Sequence, residues 1–294
     1  MAHQFGGPWT EKKLAVLSKY LRAYMQILKE RPFHVAYIDA FAGTGRVESG
    51  SPDLSPSDLF DDLSRDDLIG YFDGSARIAL TSDPPFQSFI FIERNPSRAE
   101  ELRSLRDEFP DKASAIRIEC GNANDKLREL CAKNWNRHRA VLFLDPYGMQ
   151  VNWATIEAIA ETRAIDLMVL FPSGVAVNRM LPDDFTSIPQ AWKDALNRLF
   201  GTDEWADRFY GYSSQSDLFN ASGELTKQAR IQDIAAYYVE RMTTVFPAGG
   251  VVEEPLALCT PKGRVLYHLC FATANPRAAA TACKIVRDIF GKES

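Results

Sequence analysis

The stretch Tyr37-Ile38-Asp39-Ala40-Phe41-Ala42-Gly43-Thr44-Gly45-Arg46 constrains the fold of this chain more than any other. A short apolar run ends in an acid and passes at once into a glycine turn, which is how a doubly wound α/β sheet begins a nucleotide-type site. Gly43 and Gly45 carry no Cβ, so the backbone there can approach a ligand closely. The dinucleotide fingerprint asks for a third glycine three residues after Gly45, and Glu48 stands at that place. A redox cofactor with a pyrophosphate is therefore disfavoured.

Three later strand-like runs end in the same way. Residues 88–93 close on Glu93, followed by Arg94 and then Asn95-Pro96, a cap residue ahead of an N1 proline. Residues 115–120 run into Gly121-Asn122-Ala123-Asn124-Asp125, and residues 140–144 into Asp145-Pro146-Tyr147-Gly148. Singly, each has an ordinary explanation: a strand-to-helix turn, an exposed strand-end acid, a helix cap, a type I turn with Asp first and Pro second. Four in succession at strand tips are not explained by turn chemistry, because open α/β sheets bind ligands beyond the carboxyl ends of their strands.

Asp39, Phe41 and Ala-Gly-Thr-Gly resemble the first motif of S-adenosylmethionine (SAM) dependent methyltransferases. The resemblance implies an α/β fold of the Rossmann-like class I methyltransferase type, a seven-stranded, mostly parallel sheet with an antiparallel last strand and a helical insertion. It also implies SAM as cofactor. Asp39, Phe41, Gly43, Thr44 and Gly45 would surround its methionine end, and Glu93, with Arg94 beside it, would bind the two ribose hydroxyls. Asn122 stands where related enzymes place an Asp that accepts from the adenine amino group, a role open to its carbonyl oxygen, with Ala123 next to it. Asp145 would close the cofactor pocket and, with Pro146 and Tyr147, face the methyl acceptor.

At 294 residues and 46% hydrophobic content the chain can bury a full core. Its longest apolar runs, 140–144 and 167–171, are of strand length, and no charged-then-apolar leader pattern opens the sequence, so a cytosolic protein without a membrane segment is expected. Five cysteines without a C-x-x-C pair argue against a disulfide framework and a zinc knuckle, and His268 near Cys270, in an alternating pattern, reads as packing. No metal is expected.

The net charge of −5 is local in origin. Residues 48–73 hold eight acids and one base, leaving 31 acids and 33 bases elsewhere. This Pro/Ser/Asp-rich insert follows the glycine turn, as a solvated segment or as a cover over the cofactor mouth. Either way its charge repels phosphate backbones, so a nucleic-acid substrate is open but a long duplex is disfavoured.

Along the chain, Thr10 is placed to cap a helix whose Leu14, Leu17, Leu21, Tyr24 and Leu28 form one apolar stripe. Residues 1–32 read as that helix, 33–177 as the cofactor core with the insert 48–73, and 178–248 as an aromatic-rich helical subdomain on the substrate side. Residues 249–294 read as a closing hairpin, with its turn at 260–263, and a last helix over 276–290.

With these residues assembled, the chain resembles the three-Cys-motif partner proteins, a bacterial family of presumed SAM-dependent methyltransferases. The motifs are Gly6-Gly7-Pro8-Trp9-Thr10 with Lys13-Leu14 and Tyr20-Leu21, residues 38–46, Gly74-Ser75, Phe91-Ile92-Glu93, Leu144 to Met149, Phe171-Pro172-Ser173-Gly174, and Leu266-Tyr267 with Phe271-Ala272-Thr273. The resemblance implies a companion protein bearing a cysteine motif like that of a radical-SAM cluster. It supplies no substrate. Ala76 departs from the Gly-Ser-Pro common in that family, and the acidic insert is unusually long.

Methyl transfer is an in-line displacement, so the protein has chiefly to hold an acceptor lone pair about three ångströms from the methyl carbon and aligned with it. Asp-Pro-Tyr-Gly resembles the Asp-Pro-Phe-Gly of tRNA guanine-N2 enzymes and, less closely, the Asp-Pro-Pro-Tyr of adenine-N6 enzymes, which favours nitrogen. Two functions follow from the sequence. One is a methyltransferase acting on a nucleobase or other amine; the other is a partner protein that keeps the fold in order to bind and regulate its companion.

Overall fold

A computed structural model describes residues 8–42, 74–212 and 225–293. Nine strands are present among them: β1 (His34–Asp39), β2 (Ser88–Glu93), β3 (Ile116–Cys120), β4 (His138–Leu144), β5 (Ile165–Phe171), β6 (Tyr210–Tyr212), β7 (Leu225–Lys227), β8 (Leu256–Cys259) and β9 (Val265–Thr273). Seven form one sheet in the order β3-β2-β1-β4-β5-β9-β8. The first five are mutually parallel, and β9 lies antiparallel to both β5 and β8. Chain order reverses between β1 and β4, which puts the switch point of the sheet at the tips of those two strands.

Because helices cover both faces, β5 is buried throughout and β4 from Ala140 to Leu144, and those stretches are mainly apolar runs rather than alternating ones. On one face, the helix α1 (Pro8–Leu28) and the final helix Ala279–Glu293 pack with Tyr37, Phe89, Phe143 and Phe271. On the other, Trp153 and Ile156 of the helix Trp153–Glu161 join Leu142, Leu167 and Phe171.

The aromatics of the expected helical insertion belong to this second layer. Tyr238 of the helix Ile231–Thr243 stacks on Phe171 of β5, with ring centroids 4.2 Å apart and planes within 5°. Phe200, Phe209 and Trp205 extend the same cluster. The insertion thus shares its core with the sheet, and the small β6–β7 hairpin within it has no counterpart in the sequence reading.

Other elements differ at their ends. The closing hairpin begins at Leu256 rather than near 251, where Val251 makes only an isolated bridge to Ala272, and the last helix begins at Ala279. Thr10 is not a cap: the chain is helical already at Pro8, the first described residue, and Thr10 lies inside the helix. The buried stripe of α1 is also broader than its leucines. Trp9, Thr10, Lys13, Val16 and Tyr20 are buried with Leu17, Leu21 and Tyr24, whereas Leu14 and Leu28 are only half-buried. Residues 48–73 lie outside the described residues. Among the described residues, no helix is long and apolar enough to cross a membrane.

Two polar contacts fix the direction of α1. Its Lys13 meets Asp145, just past the carboxyl end of β4, and its Tyr20 donates to Asp166, near the start of β5. The helix therefore runs antiparallel to the parallel strands, with its first turns at the strand tips. Asp166 also accepts from Thr273 Oγ1 of β9, so one buried carboxylate joins three elements. Burial pushes this carboxyl up to about 6 from an ordinary 3.8, while the two hydroxyls pull it down. Because the folded-state value stands above the unfolded one, its contribution to stability is complete below about pH 4 and is lost as pH rises through about 6. Asp166→Asn carries no such titration. It is expected to gain on the wild type by about 1–3 kcal/mol between pH 4 and pH 7 in urea denaturation. A difference that does not vary with pH would contradict this.

Candidate functional site

Asp39, the last residue of β1, is 1% exposed. Its Oδ2 accepts from Ser75 Oγ at 2.6 Å and, at the long distance of 3.4 Å, from Tyr37 OH; its Oδ1 accepts from the Phe41 amide at 3.3 Å. Burial raises this carboxyl to about 6; the Ser75 and Phe41 hydrogen bonds and Lys13 act against that, and nearby Asp145 reinforces it. Beyond Asp39 the chain stays clamped between its neighbours, with Ala40 N–H donating to Phe143 O and Ala42 N–H to Ile92 O. The first turn after β1 is thus held at the crevice where β1, β2 and β4 end. Gly43, Thr44 and Gly45 lie outside the described residues.

Asp145, one residue past β4, is 3% exposed. Its Oδ2 receives Lys13 Nζ at 2.6 Å, and Lys13 has no exposed surface at all. The ammonium lies 5.5 Å from the ring centre of Trp9 and 5.8 Å from that of Phe143, so two aromatic rings flank it. Burial lowers the Lys13 pKa, against the pull of Asp145 and, more weakly, of Asp39. One buried cation therefore sits beside two buried carboxylates at the tips of adjacent strands. The sequence hint was a lysine among Trp9, Val16, Leu17 and Tyr20 on the inward face of α1, and the leucine stripe alone did not reveal it.

At the next tip, Glu93 is 8% exposed. Its Oε1 accepts the Asn95 amide at 2.6 Å, and its backbone oxygen accepts from Gly121 N–H, so the ends of β2 and β3 are locked together. Arg94 is exposed. Asn122 caps the helix Ala123–Cys131: its Oδ1 accepts from the amides of Asn124 and Asp125. The carbonyl oxygen expected to meet an adenine amino group is thus engaged in capping, because a residue with extended backbone just before a helix is where Asn satisfies the free amides. The Asn122 amide nitrogen, a donor, is the group left to face a ligand. Ala123 is buried in the first turn of that helix.

Pro146 is buried and Tyr147 half-buried, and burial raises the Tyr147 phenol well above its ordinary value. Gly148 has φ of 75°, a left-handed conformation that glycine adopts without penalty, and this turns the chain out of β4. Beyond β5, the Ser173 hydroxyl lies 2.7 Å from His268 Nδ1, a buried pair that the sequence reading missed. Burial depresses His268 to about 4, so it is neutral at physiological pH and serves as packing with one satisfied nitrogen. Gly174 is required beside it: a Cβ there would stand 2.1 Å from Val265 O.

These tips lie along one edge of a sheet with five parallel strands, a switch point and an antiparallel β9. The fold is Rossmann-like, in the methyltransferase arrangement. Solved structures of similar fold include a Legionella pneumophila protein, LPL1258, of the family DUF519. It is 15% identical, with 82% of this chain and 93% of that one covered and a TM-score of 0.40. A candidate S-adenosylmethionine-dependent methyltransferase from Listeria monocytogenes is 9% identical over 87% of this chain and 98% of its own, with a TM-score of 0.39. Spermidine synthase from Thermotoga maritima is 11% identical, with 91% of this chain and 60% of that one covered and a TM-score of 0.36. These likenesses are of fold alone and assign no residue a role. The sequence matches no protein-family model and no curated protein.

The Lys13–Asp145 pair makes a prediction independent of any ligand. Removing one member of a buried ion pair leaves an uncompensated charge and costs about 3–5 kcal/mol, whereas replacing both members by apolar groups is often neutral. Lys13→Met should lose about that much in urea denaturation. Lys13→Met with Asp145→Leu should recover most of it. A double variant no more stable than the single one would contradict the pairing.

Proposed function

We propose that the strand-tip crevice binds SAM and that the protein is a SAM-dependent methyltransferase acting on a nitrogen of a nucleobase or other amine. The observation that carries this reading is the set of three carboxylates, Asp39, Glu93 and Asp145, each no more than 8% exposed and each at the carboxyl end of a different parallel strand around the switch point. Buried acids are costly to a fold unless they are partnered or used. Three at ligand-binding positions exceed what packing requires.

The donor set fits the cofactor. Glu93 Oε2 and the second lone pair of Oε1 are suited to ribose hydroxyls, since among the described residues the carboxylate accepts from the Asn95 amide alone. The Asn122 amide nitrogen would donate to a ring nitrogen of adenine, with Ala123 beneath it and Arg94 at the rim. Asp39 and Phe41 would border the methionine end, with Gly43, Thr44 and Gly45 following. Bound SAM supplies an electrophilic methyl group. The protein's own task is to hold the acceptor in line with it. Asp145, with the backbone carbonyls of Pro146 and Tyr147, would accept hydrogen bonds from an acceptor amine and so orient its lone pair, while the half-buried Tyr147 ring offers a stacking face for a planar base.

A second reading draws on the Lys13–Asp145 pair itself. Because Asp145 Oδ2 is already engaged by Lys13, the tip of β4 also suits a protein that keeps the cofactor fold as the partner of a three-Cys-motif companion, in line with the family resemblance. Transfer of labelled methyl from SAM to RNA, protein and small-molecule fractions, with and without the companion, separates the two. The enzyme reading expects transfer by the wild type and at least a tenfold loss in Tyr147→Ala with SAM affinity retained. Absence of transfer in every fraction, with SAM bound, would favour the partner reading. Full transfer by Tyr147→Ala would remove that residue from the reaction.

A further inference from the structure

Among the described residues, Thr10 Oγ1 is one of three buried side-chain polar atoms without a hydrogen bond, with Trp153 Nε1 and Tyr237 OH, and of the three it alone lies on α1, in its first turn. The residue is 1% exposed, and its Oγ1 is buried without a hydrogen bond. Leaving a hydroxyl in that condition carries a desolvation penalty that a valine of the same shape would not incur. Such an atom calls for an explanation other than packing.

Its position supplies one. The helix α1 runs antiparallel to the parallel strands, with Lys13 level with Asp145 at the tip of β4 and Tyr20 level with Asp166 near the start of β5. Thr10 precedes Lys13 by three residues, so it stands about 4.5 Å further along the helix, beyond the strand tips. Around the helix axis it falls between Lys13, which faces β4, and Leu14, which packs against Gly74 at the start of the helical segment carrying Ser75. Ser75 in turn holds Asp39 of β1. The Thr10 hydroxyl therefore lies over the crevice between β1 and β4, the switch point of the sheet.

The hydrogen bonds already made there narrow what it can bind. Asp39 already accepts from Ser75 and Asp145 from Lys13, so the Thr10 hydroxyl is a donor that neither acid uses and that an acceptor group of a ligand can take up. We infer that Thr10 donates a hydrogen bond to the amino-acid carboxylate of the methyl donor, making α1 one wall of the cofactor site. This rests on the proposal that the crevice binds SAM.

Calorimetric titration of the wild type, Thr10→Val and Thr10→Ser with SAM and with decarboxylated SAM tests it. Thr10→Val should bind SAM roughly 10- to 100-fold more weakly, the effect of losing a hydrogen bond to a charged group. Its affinity for decarboxylated SAM should be unchanged. Thr10→Ser should retain wild-type affinity for SAM, and unliganded Thr10→Val should unfold at no lower temperature than the wild type, since the orphaned hydroxyl is gone. Wild-type affinity for SAM in Thr10→Val would overturn the inference, and so would equal losses for both ligands. Failure of the wild type itself to bind SAM would overturn the proposed function together with it.

Discussion

A fully buried lysine 2.6 Å from a nearly buried aspartate is the contact that sets α1 against the carboxyl ends of the parallel strands. Desolvating two charges costs several kcal/mol per ion, and the attraction between them returns that only when geometry and surroundings are favourable. Here the Trp9 and Phe143 rings flank the ammonium, and Asp39 adds a second, weaker attraction. An apolar pair would hold α1 to the sheet at least as well. What the ion pair adds is position, since it allows one placement of the helix along the strands and brings its first turns over the crevice.

The remainder of the site follows from that placement and from the sheet. Parallel pairing in register carries Asp39 level with Phe143 and Glu93 level with Cys120, so carboxylates on different strands reach the same edge. Behind them lie two aromatic layers: Tyr238 lies flat on Phe171 on one side, and Trp9 stacks on Tyr267 at 5.2 Å on the other. Burial raises both Asp39 and Asp166 to about 6, and each accepts from two hydroxyls. Those on Asp166 come from α1 and β9 and tie three elements together, whereas those on Asp39 come from Tyr37 of its own strand and from Ser75.

The strands and their terminal acids were legible in the sequence because each is a local signal: an apolar run, an acid, then a turn residue. Residues 88–93 are a strand with the bounds expected, and the antiparallel closing hairpin was readable from its Thr-Pro-Lys-Gly turn. What could not be read depended on contacts across the chain. Lys13 and Asp145 are 132 residues apart, and Ser173 and His268 are 95 apart, so no spacing rule links them. Asn122 and Thr10 differ from expectation for local reasons. The asparagine, with extended backbone ahead of a helix, caps it; the threonine, expected to cap, lies within a helix that has already begun. Aromatic residues in 192–238 gave an amphipathic pattern without saying what they would cover, and their partner proved to be β5.

Whether the edge formed by Asp39, Glu93 and Asp145 is a SAM site is tested by equilibrium dialysis of the purified protein against labelled SAM. Uptake should saturate at about one SAM per chain, be displaced by the demethylated product, and be weakened roughly 10- to 100-fold in a folded Glu93→Ala variant. Folded wild-type protein that takes up no SAM at millimolar concentration would contradict that site, as would binding that Glu93→Ala leaves unchanged.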